Sequence, residues 1–198
     1  MDKREIKTLD KIYSAFESLL LSNNYDDITI QDILDKSTVS RSTFYSHFKN
    51  KEEILLSFVK HIFSHVFDKN LIKESNHDYS KSSDIDYAHY LAHMLDHFYE
   101  DKLLIKAILS SSASSIFLNE FEHNLRNMQS IFVDNKFLKD NNIPRDLNVE
   151  MITGEFIYLF KYWIMSNNEY SRDEILKYFI EHNTSFTPNK FQIKKGNK

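Results

Sequence analysis

Apolar residues recur at helical spacing along most of the chain. In the first segment they lie three or four positions apart, from Ile6 and Leu9 through Ile12 and Phe16 to Leu20. This spacing puts them on one face of a helix and predicts an amphipathic helix over residues 4–22. Comparable spacing predicts further helices over about 84–100, 102–111, 114–137, 147–167 and 171–183. No segment shows the alternation typical of a strand, so the pattern predicts an all-α fold.

Polar residues mark where two shorter helices begin. Thr29 and Asp32 have the spacing of a capping box, which predicts a helix starting after Thr29. Ser40 is a second N-cap candidate and predicts a two-turn helix over residues 41–47. Only residues 37–39 separate the two helices. Two short helices joined by a three-residue turn, after a longer first helix, indicate a helix-turn-helix.

A polar, aperiodic segment over residues 73–83 divides the chain. We interpret it as a linker or long loop at the boundary between two domains. The predicted organisation is a three-helix head over residues 1–50, a linking helix over 51–72, a helical second domain over 84–183, and a frayed tail over 184–198.

Composition excludes several classes of site. The 198 residues include no cysteine, which excludes disulfide frameworks and thiolate metal sites. Two glycines are too few for the glycine-rich loops that bind nucleotide phosphates. No apolar run reaches the length of a membrane span or forms a signal-peptide core. We therefore expect a cytoplasmic protein without a membrane partner or cofactor. Because no nucleophile elbow is present, we do not expect an enzyme.

The total charge of the chain argues against a nucleic-acid partner, so a DNA-binding surface must depend on where the charged residues lie. The net charge is −4, and residues 1–65 carry nine basic and ten acidic side chains. The segment over residues 40–47 nevertheless contains no acidic residue and is followed by Lys49 and Lys51. Its small polar side chains can face a DNA groove while its aromatic neighbours pack inward. The segment is therefore the candidate recognition helix.

The same segment resembles a known family. Ser40 to Ile54 reads Ser-Arg-Ser-Thr-Phe-Tyr-Ser-His-Phe-Lys-Asn-Lys-Glu-Glu-Ile, and with Thr29 it is similar to the N-terminal domain of the TetR family of bacterial regulators. The resemblance covers about residues 5–55. It implies a sequence-specific DNA-binding transcriptional regulator, a repressor that a small-molecule effector releases.

One position departs from the family pattern. The family usually has glycine in the turn, where this chain has Thr38. A β-branched residue at positive φ is costly. We therefore expect the turn to be reshaped, or Thr38 to avoid positive φ.

Arg41 is the candidate base reader, because a guanidinium matches the O6 and N7 acceptors of guanine. Ser42 and Thr43 can contact base edges or a thymine methyl group. The candidates for phosphate contact are Tyr45 and His47, by resemblance, and Thr29, Ser40 and Lys51, by their place at helix starts. The alternatives are that Thr29 and Ser40 act only as N-caps, and that Tyr45 packs in the core.

Three histidines suggest a metal site. His89, His93 and His97 step by four, a spacing that can hold zinc on one side of a helix. The apolar residues of this helix fall on its opposite side. We therefore interpret the histidines as a solvated face and expect no metal.

Aromatic residues of the second domain have two candidate uses. At helical spacing they form a core or a dimer interface, whereas the resemblance implies that some line the cavity of a small hydrophobic effector. The candidate effector-binding residues are Phe98, Phe117, Phe121, Tyr158 and Tyr162. The alternative function is a DNA-binding adaptor whose second domain binds a protein partner and no small ligand. A filled core favours the adaptor, and a cavity with polar groups favours the effector.

We expect a homodimer on a palindromic double-stranded operator, because one small head contacts too few base pairs for tight specific binding. The segment over residues 147–167 is apolar around more of its circumference than one core requires, and Gly154 permits close approach of another helix. The expected interface residues are Ile152, Phe156, Phe160, Trp163, Leu176 and Phe179. The alternative is that these residues only close the core of the single chain.

Overall fold

The computed structural model describes residues 3–67, 87–134, 142–167 and 170–183, with the backbone alone given for 65, 87–89 and 131–134. Every regular element in these ranges is helical, which confirms the predicted all-α fold. The α-helices are α1 (Lys3–Ser22), α2 (Ile30–Ser37), α3 (Arg41–His47), α4 (Lys51–Val66), α5 (Tyr87–Glu100), α6 (Lys102–Leu109), α7 (Ser114–Asp134), α8 (Arg145–Met165) and α9 (Arg172–Asn183). The predicted linker over 73–83 and tail over 184–198 lie outside the described residues.

Local capping fixes where α2 and α9 begin. The Thr29 hydroxyl accepts from the Asp32 amide at 3.2 Å, and the Asp32 carboxylate accepts from the Thr29 amide at 2.8 Å. Ser171 and Glu174 make the same reciprocal pair, at 3.2 and 2.8 Å. The hydrogen bonds from Thr29 hold the pKa of Asp32 below its ordinary value. The predicted capping box at Thr29 is present.

The chain forms two compact units whose segments alternate along the sequence. The first contains Met1–His65 and Asp101–Glu120, and the second contains Val66–Glu100 and Phe121–Lys198. The sequence analysis placed all of 84–183 in one domain, whereas α6 packs against α1 of the head. Apolar residues of α6 such as Ile105 and Ile108 are fully buried, which explains this grouping.

Aromatic packing builds the core of the first unit and holds α3 in place. Phe16 lies at the centre, with its ring 5.7 Å from Phe58 and 6.3 Å from Tyr25, measured between centroids. Phe44 and Phe48 of the α3 region are buried, with rings 6.0 Å apart. Because α3 is anchored through these two side chains, its opposite side is left to solvent.

The second unit has its own aromatic core. Phe98, Phe121 and Phe160 are fully buried and lie within 4.7–5.3 Å of one another between ring centroids. Helix α9 packs against both α5 and α8. An ion pair between Arg172 and Asp96, at 3.0 Å, joins α9 to α5.

Candidate nucleic-acid interface

The outward side of α3 carries the predicted recognition residues. Arg41, Ser42 and Tyr45 are exposed, while Thr43 and His47 are half-buried. Tyr45 is 47% exposed, so it is not a core residue. The side chains that α3 offers to solvent are therefore polar, aromatic or basic, and none is acidic.

Ser40 organises the start of α3. Its hydroxyl accepts from the Thr43 amide at 3.2 Å, as an N-cap does. The same oxygen lies 2.7 Å from the Thr43 hydroxyl and 3.1 Å from the Ser42 hydroxyl. Three hydroxyl groups thus cluster at the N-terminus of α3, where backbone amides also favour an anion.

The turn before α3 contains a strained residue. Thr38 lies at φ 58° and ψ 20°, in the left-handed region, and its amide donates to the Leu34 carbonyl at 3.0 Å. Thr38 therefore caps α2 in the conformation that usually favours glycine. The expectation that the turn is reshaped or that Thr38 avoids positive φ is wrong. The hydrogen bond and the packed helices on both sides hold the residue there, at a cost of about 1–2 kcal/mol.

Arg41 is held by a residue that the sequence analysis missed. Its Nη2 donates to Gln31 Oε1 at 2.7 Å, and Gln31 Nε2 donates to Asp35 Oδ1 at 2.7 Å. Gln31 and Asp35 are four positions apart on α2, which is a detectable spacing. The contact with Arg41 on the next helix depends on the tertiary fold.

Lys51 faces the protein interior and not an open surface. Its ammonium donates to the carbonyls of Tyr25 at 2.7 Å and Ile28 at 2.8 Å, and lies 4.2 Å from the centre of the Tyr25 ring. Burial, together with the charges of Glu52 and Asp26, raises the pKa of Tyr25 to about 12. The ammonium of Lys51, expected to contact a DNA phosphate, therefore binds backbone carbonyls that precede α2.

Thr29 is also occupied by local structure. Its hydroxyl donates to the Asp32 carboxylate at 2.6 Å while it accepts from the Asp32 amide. A carboxylate at this position disfavours an approaching phosphate. These contacts favour the N-cap alternative for Thr29.

Comparison with known proteins identifies the family. The family model described as "Bacterial regulatory proteins, tetR family" matches residues 12–58, and a "Transcriptional regulator C-terminal region" model matches residues 86–182. A TetR transcriptional regulator from Streptococcus agalactiae 2603V superposes with a TM-score of 0.66 at 30% identity, covering 91% of this chain and 96% of that one. The chain belongs to the TetR family of bacterial transcriptional regulators. It is therefore a DNA-binding transcriptional regulator with an N-terminal helix-turn-helix domain.

Two relatives within this family have named roles. IcaR of Staphylococcus epidermidis, a negative regulator of a biofilm operon, is 29% identical over 63% of this chain and 65% of its own length. DhaS of Lactococcus lactis, an operon activator, is 35% identical over 34% of this chain and 36% of its own length. The alignments with curated relatives cover between 21% and 65% of each relative, which is less than two thirds.

Of the five candidate effector-binding residues, Phe98 and Phe121 lie together, with their ring centroids 5.3 Å apart. Phe98 and Phe121 are fully buried in the second unit, whereas Phe117 is fully buried in the first. Tyr158 and Tyr162 are 70% and 45% exposed on α8. A buried hydroxyl that the sequence analysis missed, Thr153 Oγ1, has no hydrogen-bond partner among the described residues of the second unit.

The six residues expected at a dimer interface are buried inside the single chain. Phe160, Trp163 and Phe179 have no exposed surface, and Ile152, Phe156 and Leu176 are at most 7% exposed. This arrangement agrees with the alternative that they close the core of the chain. A different set on α8 is exposed and lies along one side of the helix: Leu147, Met151, Gly154, Tyr158, Tyr162 and Met165. We call this set the α8 stripe.

The histidines of α5 differ from the expected solvated face. His93 and His97 are half-buried, and their Nε2 atoms lie 3.2 Å apart. The side chain of His89 lies outside the described residues. Within the described ranges, no three histidine or carboxylate side chains are grouped to hold a metal ion. Within the same ranges, no helix is both long enough and apolar enough to span a membrane.

Proposed function

We propose that this regulator is a repressor that binds a palindromic operator as a homodimer, with α3 of each copy in the major groove. The observation that carries the proposal is the exposed, acid-free side of α3, which Phe44 and Phe48 anchor from behind. A helix held from one side can present its other side to base edges. Such a regulator acts on chromosomal DNA and hence in the cytoplasm.

Each exposed group of α3 has a proposed role. Arg41 reads guanine, and Ser42 and Thr43 contact the neighbouring base edges. Tyr45 and His47 contact phosphates, together with the amides at the Ser40 cap. Exposed basic residues at the start of α1, namely Lys3, Arg4 and Lys7, add sequence-independent attraction to the backbone.

Selection of binding sequences from a random double-stranded DNA library tests the proposal. We expect a palindromic motif whose half-sites each contain a guanine that Arg41 requires. The Arg41→Ala variant should lose about 1–3 kcal/mol of operator binding and relax one position in each half-site. Equal losses on operator and random DNA would contradict base reading by Arg41.

The α8 stripe supports the dimer part of the proposal. Its exposed apolar residues share one side of the helix, and no atom of the described residues lies within 4 Å of the place where a side chain on Gly154 would begin. A second copy of α8 can therefore approach closely there and bury the stripe against itself.

Sedimentation of matched variants tests the stripe. The wild type should sediment at twice the chain mass of 23.6 kDa, and Tyr158→Asp should sediment as a monomer because it buries a charge in the interface. Leu103→Asp is the control, since Leu103 is 75% exposed but lies on α6. A monomeric wild type, or a dimeric Tyr158→Asp variant, would contradict this interface.

Two observations support the proposal that the protein represses transcription and that a small hydrophobic effector releases it from the operator. The sequence alignment with the negative regulator IcaR covers 63% of this chain, against 34% for the alignment with the activator DhaS. Inside the second unit, the unpartnered Thr153 hydroxyl lies on the buried side of α8 with Phe156 and Phe160, so a ligand there would combine apolar contact with one hydrogen bond. A thermal-shift screen with hydrophobic compounds should find stabilising ligands that also dissociate the operator complex. If no compound does so, the protein-binding adaptor is favoured.

A further inference from the structure

A three-residue hydrogen-bond chain crosses from α2 to the recognition helix. Asp35 accepts from the Gln31 amide nitrogen, and the Gln31 amide oxygen accepts from Arg41, both at 2.7 Å. A guanidinium only donates, and an ionised carboxylate only accepts. Both neighbours therefore impose the same orientation on the Gln31 amide, with its oxygen towards Arg41.

This contact leaves Arg41 able to read a base. A guanidinium has two edges that each present a pair of parallel N–H groups, and both edges use one of the two hydrogens on Nη2. Gln31 takes one Nη2 hydrogen, so the other edge keeps both of its donors. That edge is the group that matches the O6 and N7 acceptors of guanine.

We propose that Gln31 is a positioning residue for base recognition: it fixes the guanidinium of Arg41 before DNA arrives, and Asp35 fixes Gln31. The inference rests on the proposed function, in which Arg41 reads guanine. A long arginine side chain loses conformational freedom when it docks on a base, and holding it beforehand reduces that loss. Arg41 and Gln31 are both exposed, so the contact forms without burying the charge of the guanidinium.

A double-mutant cycle on the selected operator tests the proposal. The Gln31→Met variant keeps the length and helix preference of the side chain but removes the hydrogen-bond acceptor. Binding is measured for wild type, Gln31→Met, Arg41→Ala and the double variant, on operators carrying each base at every half-site position. Thermal unfolding of each variant verifies that the head remains folded.

We expect Gln31→Met to reduce the preference for guanine about 3- to 10-fold, as the loss of one hydrogen bond implies. The reduction should occur only at the position that Arg41→Ala relaxes, and Gln31→Met should have no further effect in the Arg41→Ala background. Asp35→Ala should reduce the preference at the same position by a smaller factor. Binding to random DNA should stay unchanged in the Gln31→Met variant.

Two results would overturn the inference. One is an unchanged guanine preference in Gln31→Met, and the other is an effect of equal size in the Arg41→Ala background, which would mean that Gln31 contacts DNA itself. Failure of the proposed function looks different, because Arg41→Ala would then relax no position at all.

Discussion

Replacing Lys51 with methionine separates a structural role from a DNA contact. The ammonium donates two hydrogen bonds of 2.7 and 2.8 Å to the carbonyls of Tyr25 and Ile28 and lies over the Tyr25 ring. Hydrogen bonds that involve a charged group contribute about 1.5–3 kcal/mol each, and a cation–π contact about 0.5–1 kcal/mol. Since both bonds share one half-buried ammonium, we expect Lys51→Met to lower the free energy of unfolding by about 2–4 kcal/mol.

The assay combines urea unfolding with the salt dependence of operator binding. A lost phosphate contact lowers the slope of log K against log salt by about 0.9, so a dimer would lose about 1.8. We expect Lys51→Met to keep the wild-type slope while its unfolding midpoint falls. Lys7→Met is the matched control: Lys7 is exposed on α1, so the slope should fall and stability should not. A Lys51→Met variant with full stability and a reduced slope would refute the structural role.

Three further changes test individual features of the first unit. Thr38→Gly should raise the free energy of unfolding by about 0.5–1 kcal/mol, because relief of the left-handed conformation exceeds the entropy cost of glycine; a less stable variant in urea would contradict the strain. Asp32→Asn should flatten the acid side of the plot of unfolding free energy against pH. The pKa of Asp32 is lowered in the folded protein, so its contribution to the free energy of unfolding is complete above pH 3.8, the ordinary pKa. That contribution is lost as the pH falls through the lower pKa of the folded state. An Asp32→Asn variant with an unchanged pH dependence would contradict this. Ser112→Ala should raise the pKa of Asp26 towards its ordinary value in an NMR titration, because hydrogen bonds from Ser112 lower it; an unmoved pKa would show that other groups set it.

The features that sequence predicted are those that nearby residues determine. The N-cap at Ser40 and the capping box at Thr29 involve partners three positions away, so the bounds of α3 and the start of α2 follow from local chemistry. Contacts between distant segments could not be predicted in this way. Lys51 reaches carbonyls 23 and 26 positions earlier, and Arg41 reaches a side chain on another helix.

Helix α8 shows a second limit of periodicity. Its buried side contains Ile152 and Phe160, while its exposed side contains Met151 and Tyr158. Because both sides are apolar, hydrophobic spacing could not distinguish the core from the surface. The structure confirms that α8 is apolar around most of its circumference. The α8 residues predicted for the interface, however, lie on the side of α8 that the chain itself covers.

Directed cleavage from α3 tests the central claim most directly. The chain has no cysteine, so Ser46→Cys provides one attachment point for an iron–EDTA group on α3, at an exposed residue with no proposed DNA contact. Bound to the selected operator, the labelled protein should cut the DNA at two symmetric positions, in major grooves about one helical turn apart. An operator complex that forms normally but is cut elsewhere, or at a single position, would contradict recognition by paired α3 helices.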